Sequence, residues 1–331
     1  MNITVVGSGG WGTAVAVLLS KNGHSVTLWS FSPEEAQMLD REREHKTLLK
    51  GVALPQNIKI TTDISRAAGA DIVVLATPSF AVAQTAEKIK PFINKQQIIV
   101  CISKGFDREN GYCVFSETIE KILGKDTRVC ALTGPSHAEE VGRDMPTAVV
   151  AASRDEKTAL DVQKAFFGKN FRVYAVNDIL GAQLGAALKN VIALAAGICD
   201  GMGFGDNTKA ALMTRGLAEI KRLGIAMGGE EQTFAGLSGM GDLIVTCMSM
   251  HSRNRRAGIL IGQGVPVKQA MEQVGAVVEG YYATEGAHAM SLEYNVRMPI
   301  TATMYDVLYG GMELNKAFAA LMSGEGKWEK I

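Results

Sequence analysis

Three groups of residues have types and spacings that suit chemistry: a glycine-rich turn, a lysine in an apolar segment, and a short basic stretch. The turn is Gly7-Ser8-Gly9-Gly10-Trp11-Gly12, with the spacing G-x-G-x-x-G. An apolar strand is predicted before it, at Ile3 to Val6, and a helical pattern follows it as far as Asn22-Gly23. A second strand, predicted at Ser25 to Trp29, completes a strand-turn-helix-strand unit.

Each glycine of this turn has a physical task. Gly7 permits the tight turn, Gly9 lets the backbone approach a pyrophosphate, and Gly12 lets the helix pack closely on the strand. The positive end of the helix dipole then faces the phosphates. The alternative is a glycine-rich turn that only joins a strand to a helix. The presence of all the flanking elements favours dinucleotide binding.

The residues after the second strand bear on which dinucleotide binds. An acidic residue there would accept a hydrogen bond from the ribose 2′-hydroxyl of NAD, whereas an arginine would bind the 2′-phosphate of NADP. The chain has Ser30-Phe31-Ser32 at this point, and its first acids, Glu34-Glu35, belong to the first turn of the next predicted helix. We therefore expect NADP or NAD as the cofactor, with NADPH slightly favoured.

The lysine lies in a helix, predicted from Leu180 to about Ile198, that consists almost wholly of Gly, Ala, Leu, Val and Ile. Gly181, Gly185 and Lys189 follow one another at intervals of four residues and so share one side of this helix. A lysine in apolar surroundings has a lowered pKa, which suits a general acid or base near neutral pH. The alternative is a lysine whose amine reaches solvent from an apolar stem. Asn190 would orient either the lysine or a substrate.

The basic stretch is Ser252-Arg253-Asn254-Arg255-Arg256, at the start of a helix predicted to run to about Ile261. Ser252 is a candidate N-cap, so free N–H groups, a positive dipole end and arginine side chains would meet at one point. This combination predicts a phosphate site, and the alternative is a solvated basic turn. We expect at least one of Arg255 and Arg256 to take no part in binding.

Two acidic residues of the same half have more than one candidate partner. Asp242, in Gly239-Met240-Gly241-Asp242-Leu243, would cap a helix, pair with an arginine or contact Lys189, and the sequence does not choose among these. Val277-Val278-Glu279-Gly280-Tyr281-Tyr282 is predicted to be a glycine-hinged strand or turn. Its Glu279 would hydrogen-bond to a ribose or a nicotinamide amide, or would lie at the surface as an ordinary glutamate.

The elements that must position these groups alternate between strand and helix in the first half of the chain. Continuous apolar runs predict a parallel sheet covered on both faces, with right-handed crossovers. The further predicted strands are Ile58 to Thr61, Asp71 to Ala76, Gln97 to Ile102, Arg128 to Leu132, Ala148 to Ala151 and Phe171 to Tyr174. The predicted helices are Pro33 to about His45, Ile64 to Ala68, Phe80 to about Ile89, Val114 to Leu123 and Ala159 to Phe167, with an irregular connection at Leu48 to Pro55.

Ligands of such sheets bind beyond the carboxyl ends of the strands. Four strand ends are therefore expected to share one edge: Gly7 to Gly12, Thr77-Pro78-Ser79, Ser103-Lys104-Gly105 and Thr133-Gly134-Pro135-Ser136. The stretch from Ser136 to Glu139 also fits a helix capping box, a role that is compatible with contact to a substrate.

Beyond Asp178 the apolar period is helical throughout. The predicted fold class is α/β: a Rossmann-type doubly wound sheet in an N-terminal domain, followed by an all-α C-terminal domain. Residues 1–177 form the predicted dinucleotide-binding domain, and residues 178–331 form the predicted substrate and catalytic domain. We expect the active site in the cleft between them.

Composition excludes several classes of function. The 34 basic residues balance the 34 acidic residues, which argues against binding to nucleic acid or to an anionic membrane surface. The five cysteines and five histidines show no metal-ligand spacing, so no metal is predicted, and unpaired cysteines suit a reducing compartment. No signal peptide precedes the first strand, and no apolar run approaches the roughly 20 residues of a spanning helix. These features predict a soluble, cytoplasmic protein, and the apolar helices of the second domain suit a homodimer.

Taken together, seven stretches resemble the NAD(P)-dependent glycerol-3-phosphate dehydrogenases, most of all those of bacterial phospholipid synthesis. In chain order they are Gly7 to Ala14, Ser103 to Gly105, Thr133 to Ala138, Leu188 to Ala193, Gly239 to Leu243, Ser252 to Arg256 and Val277 to Tyr281. The resemblance implies an oxidoreductase that reversibly reduces dihydroxyacetone phosphate to sn-glycerol 3-phosphate. Many members carry a basic or histidine residue after the second strand, where this chain has Phe31 between two serines.

The resemblance also implies roles for individual residues. Lys189 corresponds to the proton donor and acceptor of the family. The residues that correspond to substrate contacts are Lys104, Gly134, Ser136, Asp242, Ser252, Arg253 and Asn254. The residues that correspond to cofactor contacts are Gly10, Trp11, Phe31, Ala138, Val277 and Glu279, and Lys104 and Arg253 also reach the cofactor. Gly7, Gly9 and Gly12 join them as cofactor-binding residues from the glycine spacing alone.

Two other functions compete with this one. A β-hydroxyacid or 6-phosphogluconate dehydrogenase would also join a nucleotide domain to a helical domain that bears a lysine. A non-catalytic redox sensor would bind the dinucleotide and regulate a partner, but it would leave Lys189 and the cluster at Arg253 without a task.

Overall fold

The computed structural model describes residues 1–323 of the chain. These residues form two compact units, of which the first is Met1–Gln183 and the second begins at Leu184. The predicted second domain, 178–331, includes residues 324–331, which lie outside the described part.

The first unit is an eight-stranded sheet flanked by helices, with a separate two-stranded sheet. Its strands are β1 (Asn2–Val6), β2 (Ser25–Trp29), β3 (Glu44–His45), β4 (Leu49–Ala53), β5 (Lys59–Thr61), β6 (Ile72–Leu75), β7 (Ile98–Cys101), β8 (Arg128–Thr133), β9 (Thr147–Ala152) and β10 (Phe171–Val176). Its helices are α1 (Gly10–Lys21), α2 (Pro33–Glu42), α3 (Val82–Ile89), α4 (Phe115–Leu123), α5 (Ala138–Gly142) and α6 (Glu156–Phe166), with 3₁₀ turns at Ile64–Gly69, Ser79–Ala81, Lys90–Phe92 and Arg108–Asn110.

The order of strands in the large sheet is β10-β9-β8-β7-β6-β1-β2-β5. Successive residues of its strands pack into two separate apolar clusters: Val5 and Val74 belong to one, and Val6 and Val73 belong to the other. Both faces are therefore covered, which is why these strands read as continuous apolar runs. The doubly wound arrangement is confirmed for β1, β2 and β5 to β8, which are parallel to one another.

The last two strands depart from a wholly parallel arrangement. Strand β9 is antiparallel to β8, and β10 is parallel to β9. Between β8 and β9 the chain has only α5, five residues long. Such a helix rises by about 7.5 Å, too little to bring the chain back along a strand of six residues. The chain therefore re-enters the sheet from the end at which it left.

Two local expectations for the first unit were wrong. The helix that begins at Pro33 ends at Glu42, because Arg43 adopts a left-handed conformation with φ of 50°. The segment predicted as an irregular connection contains β4, which pairs with β3 in the small antiparallel sheet. Strand β3 has only two residues, and β4, with the sequence LKGVA, shows neither a continuous apolar run nor an alternating pattern.

The described part of the second unit is all helical, as predicted. Helix α7 (Ile179–Gly201) runs into it from the end of the first unit. The other helices are α8 (Asp206–Ala226), α9 (Glu231–Ala235), α10 (Asp242–Met248), α11 (Arg253–Gly262), α12 (Val267–Val274), α13 (Glu279–Glu293), α14 (Pro299–Leu308) and α15 (Leu314–Met322), with a π-helical turn at Leu237–Gly241.

Helix α7 corrects the expectation that no apolar run approaches the length of a membrane span. Within residues 1–323 it is the one helix, 23 residues long, whose length and composition would be enough to cross a membrane. However, 94% of its apolar window is buried inside the structure, so α7 is built as a core helix.

Candidate active site

The carboxyl ends of neighbouring strands meet along one edge of the large sheet, as predicted. Ser103 after β7 donates a hydrogen bond from its Oγ to the carbonyl oxygen of Thr77 after β6, at 2.5 Å. Lys104 Nζ donates to the carbonyl oxygen of Gly134 after β8, at 2.9 Å, and lies 3.5 Å from Ser136 Oγ. Three residues predicted to contact substrate, Lys104, Gly134 and Ser136, are thus brought together.

The capping box predicted at Ser136 does not form. Helix α5 begins at Ala138 with His137 as its N-cap residue. The hydroxyl of Ser136 instead donates to the carbonyl oxygen of Gly134, at 2.8 Å, and accepts from Lys104 Nζ, at 3.5 Å. Tertiary contacts of the lysine therefore replace the local capping interaction that the sequence pattern suggested.

The glycine-rich turn fits a dinucleotide pyrophosphate. Gly7 has φ of +122°, and a Cβ there would come within 2.7 Å of the Ala76 carbonyl oxygen. A Cβ on Gly12 would overlap the carbonyl oxygen of Gly7, so this glycine is required by the packing of α1 on β1. At Gly9 a Cβ would meet no atom of residues 1–323 within 4 Å. Packing does not explain the glycine at this position, whereas a ligand that approaches the backbone would.

Two polar atoms near the same edge also suit a bound ligand. Within residues 1–323, Thr77 Oγ1 and Trp11 Nε1 are buried and have no hydrogen-bond partner. Buried polar atoms are normally paired. Thr77 follows β6 and Trp11 belongs to the glycine-rich turn, so both lie where a dinucleotide is expected.

The end of β2 presents an exposed aromatic ring. Phe31 is 75% exposed, and Lys88 Nζ lies 5.0 Å from its ring centroid. Helix α2 then begins at Pro33 with Ser32 as its N-cap, whose Oγ accepts from the Glu35 N–H at 3.1 Å. The glutamates 34 and 35 lie in the first turn of α2, as the sequence predicted.

In the second unit, the amine of Lys189 forms a buried ion pair. Its Nζ lies 3.0 Å from Asp242 Oδ1 and 2.6 Å from Thr246 Oγ1. Lys189 is 5% exposed and Asp242 is 1% exposed. The amine is therefore not in bulk solvent. Its surroundings are not apolar either, because it contacts a carboxylate, which stabilises the charged ammonium. Of the partners left open for Asp242, the structure chooses Lys189.

A close approach of two segments makes this pair possible. A Cβ on Gly185 would lie 2.8 Å from the Ser238 carbonyl oxygen, so the bare glycine lets the π-helical turn pack against α7. Lys189 is one helical turn further along the same side of α7. Because the π-helical turn leads directly into α10, the carboxylate of Asp242 arrives opposite the lysine.

Asn190 orients Asn254 rather than the lysine. Asn254 Nδ2 donates to Asn190 Oδ1 at 2.9 Å, and Asn254 Oδ1 accepts from the Gly280 N–H at 2.8 Å. A Cβ on Gly280 would lie 2.5 Å from the Asn190 carbonyl oxygen. Helices α7, α11 and α13 thus converge on one buried amide pair.

The basic stretch begins a capped helix, as predicted. Ser252 Oγ accepts from the Arg255 N–H at 3.2 Å. The side chain of Arg255 is taken by Asp200, with Nε and Oδ2 2.7 Å apart, whereas Arg253 and Arg256 are exposed. The N-terminus of α11 therefore presents Arg253 and free backbone N–H groups beside the buried Asn254.

The remaining residues implied as cofactor contacts lie at helix starts. Ala138 is the first residue of α5 and Glu279 is the first residue of α13, with the half-buried Val277 just before it. The strand or turn predicted from Val277 to Tyr282 is wrong for its greater part, because α13 runs from Glu279 to Glu293.

Sequence reasoning missed two participants. Thr246 lies one turn after Asp242 in α10 and contacts both members of the ion pair, since its Oγ1 also donates to the Asp242 carbonyl oxygen at 2.6 Å. The i, i+4 spacing was its only signal. Glu35 was recognised only as a first-turn acid, yet its carboxylate contacts Ser8 of the glycine-rich turn.

A doubly wound sheet with a dinucleotide-type glycine turn, joined to a helical unit that carries a buried lysine and aspartate, defines a nicotinamide-dependent dehydrogenase of the two-domain kind. The family models described as NAD-dependent glycerol-3-phosphate dehydrogenase N-terminus and C-terminus match residues 2–159 and 178–319. The chain therefore belongs to the NAD-dependent glycerol-3-phosphate dehydrogenase family. It is an oxidoreductase that uses NAD or NADP.

Individual relatives agree with this assignment. The chain is 51% identical to the glycerol-3-phosphate dehydrogenase (NAD(P)+) of Moorella thermoacetica, over 97% of this chain and 95% of that protein. It is 46% identical to the enzyme of the same name from Bacillus subtilis, over 97% and 94% of the two chains. The crystal structure of the glycerol-3-phosphate dehydrogenase of Coxiella burnetii superposes with a TM-score of 0.93 at 34% identity, covering 98% of this chain and 99% of that one.

Proposed function

We propose that the chain catalyses the reversible reduction of dihydroxyacetone phosphate to sn-glycerol 3-phosphate, which supplies the glycerol backbone of glycerophospholipids. The observation that carries this proposal is the buried ammonium of Lys189, held at 3.0 Å by Asp242 and at 2.6 Å by Thr246. A positioned, charged amine is the group that a ketone reduction needs, because the carbonyl oxygen must gain a proton as it becomes a hydroxyl.

The two proposed domains have different roles. Residues 1–177 bind the dinucleotide and residues 178–331 carry the catalytic lysine. The proposed cofactor contacts are Gly7, Gly9, Gly10, Trp11, Gly12, Phe31, Lys104, Ala138, Arg253, Val277 and Glu279. The proposed substrate contacts are Lys104, Gly134, Ser136, Asp242, Ser252, Arg253 and Asn254.

The bound nicotinamide supplies the hydride that is added to C2 of the ketone. As negative charge develops on the C2 oxygen, an N–H bond of Lys189 breaks and an O–H bond forms, and the amine is reprotonated from solvent. Asp242 and Thr246 hold the lysine in place, and the positive charge of Lys104 stabilises the developing alkoxide. In the oxidation direction Lys189 is the base.

The substrate phosphate is assigned to the N-terminus of α11. Arg253 is exposed there, Ser252 caps the helix, and Asn254 is fixed by Asn190 and the Gly280 N–H. Binding energy from the phosphate orients the reacting carbon, which is remote from it.

The experiment follows oxidation of NADH and NADPH by absorbance, with dihydroxyacetone phosphate as substrate. Lys189→Ala should reduce turnover by about 10²- to 10⁴-fold because the proton donor is lost, while NADH still binds. The matched control is Lys316→Ala, since Lys316 lies at the surface in an exposed pair with Glu313. Near-normal turnover of Lys189→Ala would reject the assigned role.

The same assay separates the competing enzyme class. Oxidation of β-hydroxyacids or 6-phosphogluconate, with no reduction of dihydroxyacetone phosphate, would replace the proposed substrate. The exposed Arg253 beside a capped helix start favours a phosphate ester over a simple hydroxyacid.

We also propose that the enzyme is a soluble cytoplasmic homodimer. All five cysteines are unpaired, which suits a reducing compartment. Met240, Ile244 and Met248 are exposed at intervals of four residues on one helical side of the second unit, a surface that suits a second copy. Light scattering in solution would test the dimer, and a monomeric mass would reject it.

A further inference from the structure

A fixed carboxylate lies just beyond the end of β2, although the residues directly after that strand, Ser30-Phe31-Ser32, include no acid. Glu35 Oε1 accepts hydrogen bonds from Ser30 Oγ, at 3.0 Å, and from Ser8 Oγ. Glu35 Oε2 lies 3.5 Å from His45 Nε2. Both serines are buried, so Glu35 is tied to the glycine-rich turn on one side and to the first residue after β2 on the other.

This carboxylate is charged at neutral pH and reachable from solvent. The approach of His45, in the first place, and hydrogen bonds from Ser8 and Ser30 hold the pKa of Glu35 below its usual range despite its partial burial. The Leu48 N–H donates to His45 Nδ1 at 3.3 Å, and the other ring nitrogen, Nε2, faces Glu35. The side chain of Glu35 remains 30% exposed.

The carboxylate lies beside the residue position from which dinucleotide-binding folds read the adenosine ribose, because Ser30, the first residue after β2, donates a hydrogen bond to it. That residue normally follows β2 directly and hydrogen-bonds to the 2′-hydroxyl of NAD. Here Ser30 holds the position in sequence, and its hydroxyl is used to hold Glu35 there in space. We infer that Glu35 is the specificity-determining residue for the cofactor. It selects NAD over NADP because its carboxylate accepts a hydrogen bond from the 2′-hydroxyl of NAD and repels the 2′-phosphate of NADP.

The negative charge of the Glu35 carboxylate favours the same selection of NAD over NADP. A phosphate monoester carries about −1.5 to −2 charges at neutral pH. Glu34 lies in the same helical turn, but it is exposed, so solvent screens its charge. Lys88 is a positive group nearby, but its Nζ lies over the Phe31 ring, 5.0 Å from the ring centroid. The inference thus argues against the slight preference for NADPH that the sequence alone suggested, and it rests on the proposed function only in that a dinucleotide binds.

The test measures dissociation constants of NADH and NADPH by fluorescence titration, without substrate. The wild type should bind NADH at least about tenfold more tightly than NADPH, and Glu35→Gln should reduce this ratio to about threefold or less, mainly by tighter binding of NADPH. Glu34→Gln is the matched control, because Glu34 is exposed and its carboxylate accepts a hydrogen bond from the neighbouring Ser32 hydroxyl. It should leave the ratio within about twofold.

A second measurement needs no variant. Because repulsion between charges is screened by salt, the wild-type ratio should fall as the salt concentration is raised from about 0.02 M to about 0.5 M. A wild type that prefers NADPH, or a ratio unchanged in a folded Glu35→Gln variant, would overturn the inference. Failure to reduce dihydroxyacetone phosphate with either cofactor would reject the proposed function instead, while the ratio of binding constants would still decide the role of Glu35.

Discussion

The ion pair between Lys189 and Asp242 should govern the stability of the helical unit as well as its chemistry. The pair is almost completely buried, with Nζ and Oδ1 3.0 Å apart. At an effective dielectric constant of about 20, two unit charges at this distance interact by roughly 5 to 6 kcal/mol. Lys189→Met would leave the Asp242 carboxylate buried and without its counter-charge, which should cost about 3 to 5 kcal/mol of unfolding free energy.

A double-mutant cycle separates this coupling from simple loss of packing. Asp242→Asn should also destabilise the protein, whereas the double variant carries neither charge and should cost about 2 to 3 kcal/mol less than the sum of the two single changes. Urea unfolding followed by far-ultraviolet circular dichroism provides the free energies. As a control, Lys316→Met should stay within about 0.5 kcal/mol of the wild type, since its pair with Glu313 is exposed. Single-variant costs that add within about 0.5 kcal/mol would refute the reasoning.

Two further predictions concern the glycine-rich turn and a buried carboxylate. Gly9→Ala should leave the melting temperature unchanged, because a Cβ there meets no atom of residues 1–323 within 4 Å, but it should weaken NADH binding, because the Cβ would enter the space proposed for the pyrophosphate. Gly12→Ala should lower the melting temperature, because its Cβ would overlap the Gly7 carbonyl oxygen. Equal loss of stability in both variants would contradict this. Glu219 is 1% exposed and accepts from the N–H groups that begin α14, and burial raises its pKa. The native state therefore binds more protons than the unfolded state, and stability due to Glu219 falls as pH rises from about 4.5 through the raised pKa. Urea unfolding across this range should show Glu219→Gln gaining stability relative to wild type, and a constant difference would exclude the effect.

Much of the first unit could be predicted because its signals are local. The strand, turn and helix around Gly7 to Gly12 follow from apolar runs and from glycine geometry, and β2 begins and ends where the sequence indicated. Ser252 caps α11 as predicted, because an N-cap hydrogen bond joins residues only three apart. The apolar helix α7 was recognised from composition, since a core helix is apolar on all sides.

The errors arose where distant contacts decided the outcome. The serine at 136 had a capping pattern, but Lys104 and Gly134 engaged its hydroxyl instead. Strand β9 had the composition of a parallel strand, but its direction depended on how far the chain could travel through α5. A pattern of residue types carries no information on either point.

The sequence by itself determined that the chain has a dinucleotide-type turn, a largely parallel sheet, a helical second half and a lysine within an apolar helix. Those features depend on the period of apolar residues and on backbone geometry over a few residues. Only the tertiary structure decided that Asp242 pairs with Lys189 across 53 residues and that Glu35 supplies the carboxylate missing after β2. Electrostatic partners are chosen by distance in space, and the folding of intervening segments, not their spacing in the chain, sets that distance.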